Sequence, residues 1–239
     1  MIKRSLLLTA CFLSMLTLLA QTGNQKFSRL DTLFGSNTPQ RAWWDVEHYD
    51  ILVTPDFTTK TIRGKTTIRY KVVSAQPHAY LQIDLQKPLQ IDSIFYNGKA
   101  VDIHSKKTFY NEGNHYFLQL PKEEKGSIQS LTISYHGKPR EAVNAPWDGG
   151  WVWTKDQKGR SWMSVACEGV GASSWYPCKD LWSDEPGKGA SLTVVVPEGM
   201  TAVGNGRLKN RAVANGKISF TWEVQSPINT YNIIPYIGH

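Results

Sequence analysis

The sequence predicts an all-β protein, a curved antiparallel sheet or β-sandwich. Three observations lead there. Apolar and polar residues alternate with period two in run after run, turn dipeptides separate the runs, and no stretch shows a sustained helical stripe. Successive side chains on a strand point to opposite faces, so alternation rich in β-branched and aromatic residues marks half-buried strands.

At the N-terminus, Met1-Ile2-Lys3-Arg4 is a short positive region, and Ser5 to Ala20 is apolar and uncharged. This pattern reads as a secretory signal peptide over residues 1–20, cleaved after Ala20. The run is short for a membrane span, so no stable membrane insertion is expected after cleavage. A periplasmic or extracellular location follows. Leu8-Thr9-Ala10-Cys11 offers an alternative, a lipoprotein anchored through Cys11. Residues 21–42 form a polar lead with Gly23, Gly35 and Pro39 and no clear period.

The β pattern occupies residues 43–239. Ile51-Leu52-Val53, Thr66 to Val72, Tyr80 to Leu85, His115 to Leu120 and Ile128 to Tyr135 read as strands. Asn97-Gly98 lies between Ile94-Phe95-Tyr96 and Ala100 to Ile103, and Asn215-Gly216 lies between Ala212 to Ala214 and Ile218 to Trp222. Both read as tight hairpins. Gly204-Asn205-Gly206 is expected to close the strand through Val194-Val195-Val196. From Pro139 to Pro186 the alternation fades into a segment rich in Gly, Trp, Ser and Asp. Long irregular segments in compact domains are often functional.

The composition is that of a globular protein, with 41% hydrophobic and 20% charged residues. The formal charge of +7 is scattered along the chain, and its densest runs are as short as Lys106-Lys107. Nucleic-acid binders gather charge on one face, so no nucleic-acid partner is expected and the excess reads as solvated surface. Cys167 and Cys178 remain once Cys11 leaves. An exported protein could join them, and two buried free thiols fit equally well.

Catalytic motifs are missing from these residues. The histidines at 48, 78, 104, 115, 136 and 239 include no H-E-x-x-H pair. There is no P-loop, no G-x-S-x-G and no dinucleotide fingerprint. On chemistry alone the chain is a binding or structural β module with no catalytic residue and no metal ligand set of its own.

One segment is more specific. Ala166-Cys167-Glu168-Gly169-Val170-Gly171-Ala172-Ser173-Ser174-Trp175-Tyr176-Pro177-Cys178-Lys179-Asp180 is followed by Asp184-Glu185-Pro186. It resembles the N-terminal β domain of the aminopeptidase-N family of zinc metallopeptidases, related to leukotriene hydrolase. That family places an acidic or amide residue nine positions before a Pro-Cys-x-Asp turn, as Glu168 stands to Pro177. Tyr49-Asp50-Ile51, Gly64 to Ile68, and Asn229-Thr230-Tyr231-Asn232 fall where the family has similar strands. The likeness spans roughly residues 43–239. One departure is the insertion of Leu181-Trp182-Ser183 between Asp180 and Asp184.

The resemblance implies a saddle-like all-β domain of a secreted zinc aminopeptidase that removes N-terminal residues from peptides. It implies that Glu168 binds the substrate's α-ammonium, because a carboxylate makes a strong charge-assisted bond to an ammonium. Pro177, Asp180, Asp184, Glu185 and Pro186 would form a structural turn. Zinc and the catalytic groups would belong to a C-terminal domain on which this one packs. The chain stops at Gly238-His239, where that domain should begin, so a fragment inactive alone is expected. The alternative is a secreted β-sandwich that binds carbohydrate or protein without catalysis, with Trp147, Trp151 and Trp153 as a stacking surface. Inter-domain or loop packing is the plainer role for those three rings.

Overall fold

The computed structural model describes residues 26–75 and 80–239. The expected signal segment and His78 lie outside the described residues. Among those described, strands dominate, as the alternation implies.

The polar lead contains one short helix, α1 (Arg29–Gly35). Ser28 caps it. The Asp31 amide donates to Ser28 Oγ at 3.2 Å, and the Ser28 amide donates to Asp31 Oδ2 at 2.7 Å. This is a capping box with Asp in the place usually taken by Glu. A seven-residue helix burying only Leu33 leaves no periodic stripe in the sequence.

The strands follow in chain order: β1 (Trp44–Asp56), β2 (Thr61–Val72), β3 (Tyr80–Asp84), β4 (Gln90–Tyr96), β5 (Lys99–Ala100), β6 (Phe109–Glu112), β7 (His115–Gln119), β8 (Ile128–Gly137), β9 (Gly150–Lys155), β10 (Ser161–Ala166), β11 (Ala190–Pro197), β12 (Thr201–Val203), β13 (Arg207–Ala214), β14 (Lys217–Val224) and β15 (Tyr236–Gly238). They form an eight-stranded sheet in the order β13-β14-β11-β1-β2-β8-β4-β5, a four-stranded sheet β12-β15-β10-β9 and a three-stranded sheet β3-β7-β6.

Both expected hairpins are present. Asn97 and Gly98 have φ of 47° and 78°, and Asn215 and Gly216 have φ of 53° and 70°. Two successive left-handed residues are what a tight hairpin turn requires. Other details differ from the expectation. Gly204-Asn205-Gly206 follows β12, and β11 instead ends at Pro197 ahead of Glu198 and Gly199. Asn229 to Asn232 is not a strand; Thr230–Asn232 is a 3-10 turn. The Pro139–Pro186 stretch holds a regular hairpin, β9 with β10. Its tryptophans hide the alternation, because Trp151 is buried while Trp153 is only partly covered. The sheets are antiparallel except at β1 and β11, which pair in parallel, Tyr49 opposite Ala190.

One core joins the three sheets. Ile68 and Tyr70 of β2, Leu81 and Ile83 of β3, Leu118 of β7, Val165 of β10 and Ile237 of β15 all belong to one cluster of buried apolar side chains. Each such large apolar side chain gains about 1.5–3 kcal/mol on burial. The close fit of β2 over β8 needs Gly64. A Cβ there would lie 2.4 Å from the Tyr135 ring.

Candidate functional site

The site grows from the end of β10. After Ala166 the chain turns sharply: the amides of Val170 and Gly171 both donate to the Cys167 carbonyl, at 3.2 and 3.0 Å. Glu168 and Gly169 stand exposed on this turn. Gly149 passes directly beneath it. Its φ is +63°, and a Cβ there would sit 2.6 Å from the Glu168 carbonyl oxygen. From the other side, Gln86, just past β3, donates from Nε2 to the Val170 carbonyl and to Ser173 Oγ at 3.2 Å. The Gln86 amide donates to the Ser173 carbonyl at 2.9 Å.

The segment behind the turn is buried from Gly171 to Asp180. Asp180 accepts the amides of Ala172 at 3.3 Å and Ser173 at 3.0 Å. Gly171, at φ +81°, is required there, since a Cβ would fall 2.3 Å from the Asp180 carboxylate. Burial pushes the Asp180 carboxyl up, and its hydrogen bonds to Ser173 and Ala172 offset this only in part. Cys178 exchanges backbone hydrogen bonds with Asp84 at 2.9 and 3.1 Å. The Asp180 amide then donates to the Asp84 carboxylate at 3.1 Å.

Asp84 is a hub that the sequence did not reveal. Its carboxylate also meets Arg41, His115 Nδ1 at 2.6 Å and Gln82 Nε2 at 3.0 Å. Arg41 is fully buried and donates to the carbonyls of Phe34 and Ser36 as well. Residues 26–42 are thereby fixed to β3 and β7. Burial alone would raise the Asp84 carboxyl. The Arg41 charge and the His115 and Gln82 hydrogen bonds outweigh it and hold the group below its ordinary value.

The other turn residues divide. Pro177 is buried within the segment, and Pro186 is buried at its end. Asp184 pairs with buried Lys179 and accepts the Val46 amide at 3.3 Å. Lys179 also donates to the Trp44 carbonyl and lies 4.6 Å over the Trp44 ring. Burial draws its ammonium below the usual lysine value, against the pull of Asp184. Glu185 is exposed. Cys167 and Cys178 are both buried and free.

Glu168 borders a cavity of about 420 Å³ with Pro146, Trp182, Tyr231, Asn232 and Tyr236 among its walls. The Glu168 carboxylate has no ion pair among the described residues. Trp182 comes from the three-residue insertion. Its ring is 60% exposed and packs edge-on against Tyr231 at 6.1 Å. The Tyr176 hydroxyl donates to the Thr230 carbonyl at 3.0 Å, which fixes the turn carrying Tyr231 and Asn232 to the Glu168 segment. Trp147, Trp151 and Trp153 do not form one surface. Trp151 stacks on Trp153 and meets Trp175 edge-on, while Trp147 stands 79% exposed.

Among the described residues, no three His, Cys, Asp or Glu side chains come together as a metal site. The residues present therefore do not fit a catalytic zinc, and no step of metal chemistry is assigned to them. No helix among the described residues is long and apolar enough to cross a membrane.

The described residues thus form an all-β module with an exposed carboxylate on a turn beside an aromatic-walled cavity. Residues 45–232 match the family described as Peptidase M1 N-terminal domain, and the chain belongs to that family. Among solved structures it is similar to a mutant M1 zinc metallopeptidase from Deinococcus radiodurans. The identity is 21% and the TM-score 0.67, over 83% of this chain and 43% of that one. The same enzyme bound to a Tyr-Ser-Ala substrate matches at 22% identity and TM-score 0.67, with the same coverage. Leukotriene A4 hydrolase from Saccharomyces cerevisiae matches at 17% identity and TM-score 0.63, over 92% of this chain and 32% of that one. The chain spans less than half the length of these structures. No curated protein matches it in sequence.

Proposed function

We propose that this chain is the substrate-anchoring N-terminal domain of a zinc-dependent aminopeptidase, with Glu168 as the acceptor for the peptide's α-ammonium. One observation supports this most: an exposed carboxylate, free of ion pairs among the described residues, on a turn fixed from both sides and bordering an aromatic-walled cavity. A carboxylate positioned this way forms a directional bond to an ammonium in which both partners are charged, stronger than the bond it makes to the neutral N–H of an internal peptide group. The zinc, which activates water and polarises the scissile carbonyl in such enzymes, would be held by a C-terminal domain packed on this one. By itself this chain would be inactive. Residues 1–20 would direct export, to the periplasm or beyond.

The test uses the enzyme that contains this domain. Glu168→Gln should lower kcat/KM for free-amine substrates by roughly ten- to a hundred-fold, the loss of one hydrogen bond to a charge. Slow cleavage of N-acetylated substrates should be unchanged, and so should zinc content. Equal losses on both substrate types, or loss of zinc, would remove Glu168 from this role.

A further inference from the structure

The outward face of the large sheet concentrates charge that is scattered in the sequence. The outward residues of β2 are Thr61, Arg63, Lys65, Thr67, Arg69 and Lys71, because alternate positions from Ile62 to Val72 are buried. Four basic side chains thus stand in one row, and none of the four is in an ion pair among the described residues.

The row's upper end borders a groove. Arg63 lies opposite His136, and Lys65 lies opposite Ser134, on neighbouring β8. A register shift between Ile91 and Ser93 in β4 brings Asp92 to the same side. Leu52, Thr54, Arg63, Lys65, Ser134 and His136 enclose about 560 Å³. The groove continues past Arg63 and His136 into a further 400 Å³ bounded by Asp56, Thr61 and Lys217.

Both acids at the groove are already engaged. Asp92 is hydrogen-bonded to His136 Nδ1 at 2.5 Å. Asp56 Oδ1 accepts the amides of Thr58 and Thr59 at 2.8 and 3.1 Å. Arg63, Lys65 and Lys217 are in no ion pair among the described residues. The groove therefore carries three basic side chains against the two carboxylates of Asp56 and Asp92, a net excess of one positive charge.

We propose that this groove binds an anionic polysaccharide through its sulfate or phosphate groups, separately from the Glu168 cavity. Charge complementarity sets the sign of the ligand, and the lining sets its class. Thr54, Thr61 and Ser134 offer hydroxyls to sugar hydroxyls, and of the two large apolar residues along the groove Leu52 is exposed and Ile62 is buried. An apolar-anchored peptide finds little to hold here, and an acidic peptide is the comparator that poly-glutamate supplies. Single-stranded nucleic acid needs aromatic stacking platforms, and a membrane surface needs protruding apolar groups. Arg63 can grip a sulfate or phosphate with two parallel donors, while Lys65 and Lys217 act as point charges.

The experiment measures binding of the purified protein to dextran sulfate by calorimetry, with neutral dextran, poly-glutamate and a single-stranded oligonucleotide as comparators. Dextran sulfate should bind, and neutral dextran should not. Replacing Arg63, Lys65 and Lys217 together by Gln should weaken binding by roughly ten- to a hundred-fold. Replacing Lys106, Lys107 and Lys122 by Gln should change it little, although the net charge falls equally. Chemical-shift changes in the unmutated protein, confined to Arg63, Lys65 and His136, give the same answer without relying on a variant's folding. Equal weakening by both triple variants would overturn the site. Tighter binding of poly-glutamate or the oligonucleotide would overturn the polysaccharide assignment.

Discussion

Gln86 Nε2 donates to the carbonyl oxygen of Val170, two residues beyond Glu168. The neighbouring sheet thus supports the turn that presents the carboxylate. Gln86→Ala removes this donor and leaves a partly buried carbonyl unpaired, at a cost of about 1–3 kcal/mol. Amide hydrogen exchange should quicken from Gly169 to Ser173 and stay unchanged in β1 and β2. Uniform loss of protection would show that Gln86 serves the whole fold instead.

Arg41 and Asp84 form a buried pair, and breaking one should be expensive. Arg41→Met leaves the Asp84 carboxylate buried without its cation, so stability should fall by about 3–5 kcal/mol near neutral pH. The pH dependence follows from the direction of the Asp84 shift. Its folded value is depressed, so its contribution is complete above the unfolded value of about 4 and is lost as pH falls through the folded one. Asp180 is shifted the other way, so its ionisation opposes folding at neutral pH. Urea unfolding of parent and variant should therefore converge on acidification, as Asp84 takes up a proton. A gap independent of pH would show that the pair contributes packing alone.

Burial pushes the Cys167 thiol up to about 12 and the Cys178 thiol well above its usual value. The thiolate is the reactive form. Neither residue should be alkylated by iodoacetamide in the native protein, and both should react in urea, as peptide mass mapping would show. Rapid native labelling of either would contradict the burial.

Trp182 and Tyr231 form the aromatic wall beside Glu168. In the enzyme containing this domain, Trp182→Ala should raise KM for substrates with a bulky apolar first residue by roughly three- to tenfold, the worth of an aromatic contact. Alanine-first substrates should be nearly unaffected. Equal change for both would place Trp182 outside the contact with the first side chain.

Much of the architecture was legible because one face of each long strand is buried. The alternation of β2 and β8 survives in sequence as a direct record of that burial. The hairpins at Asn97-Gly98 and Asn215-Gly216 were legible because left-handed backbone restricts residue choice. The β9–β10 hairpin was hidden by aromatic residues on both faces, and α1 by its length and its Asp in the capping box. Glu168 stands out only by its spacing to Pro177, a resemblance and not a physical signal. Asp84 left no trace, since its partners Arg41, His115 and Asp180 lie far apart in the sequence and meet only on folding. The basic row of β2 is hidden in the linear distribution of charge, because only every second residue shares a face.

The parallel contact between β1 and β11 bears on how the chain is made. A strand near the beginning of the β region finds one of its two neighbours only after most of the chain has been synthesised. Until Ala190 to Pro197 emerges, nascent β1 offers a row of unpaired amides and carbonyls, the kind of open edge that recruits wrong partners. Gly187 and Lys188 then donate to the carbonyls of Val46 and Glu47 and bring β11 into register. Dissection of the molecule should respect that order. A piece ending before residue 190 leaves the centre of its largest sheet open and should aggregate, whereas one reaching past Val224 closes it with β14 in place.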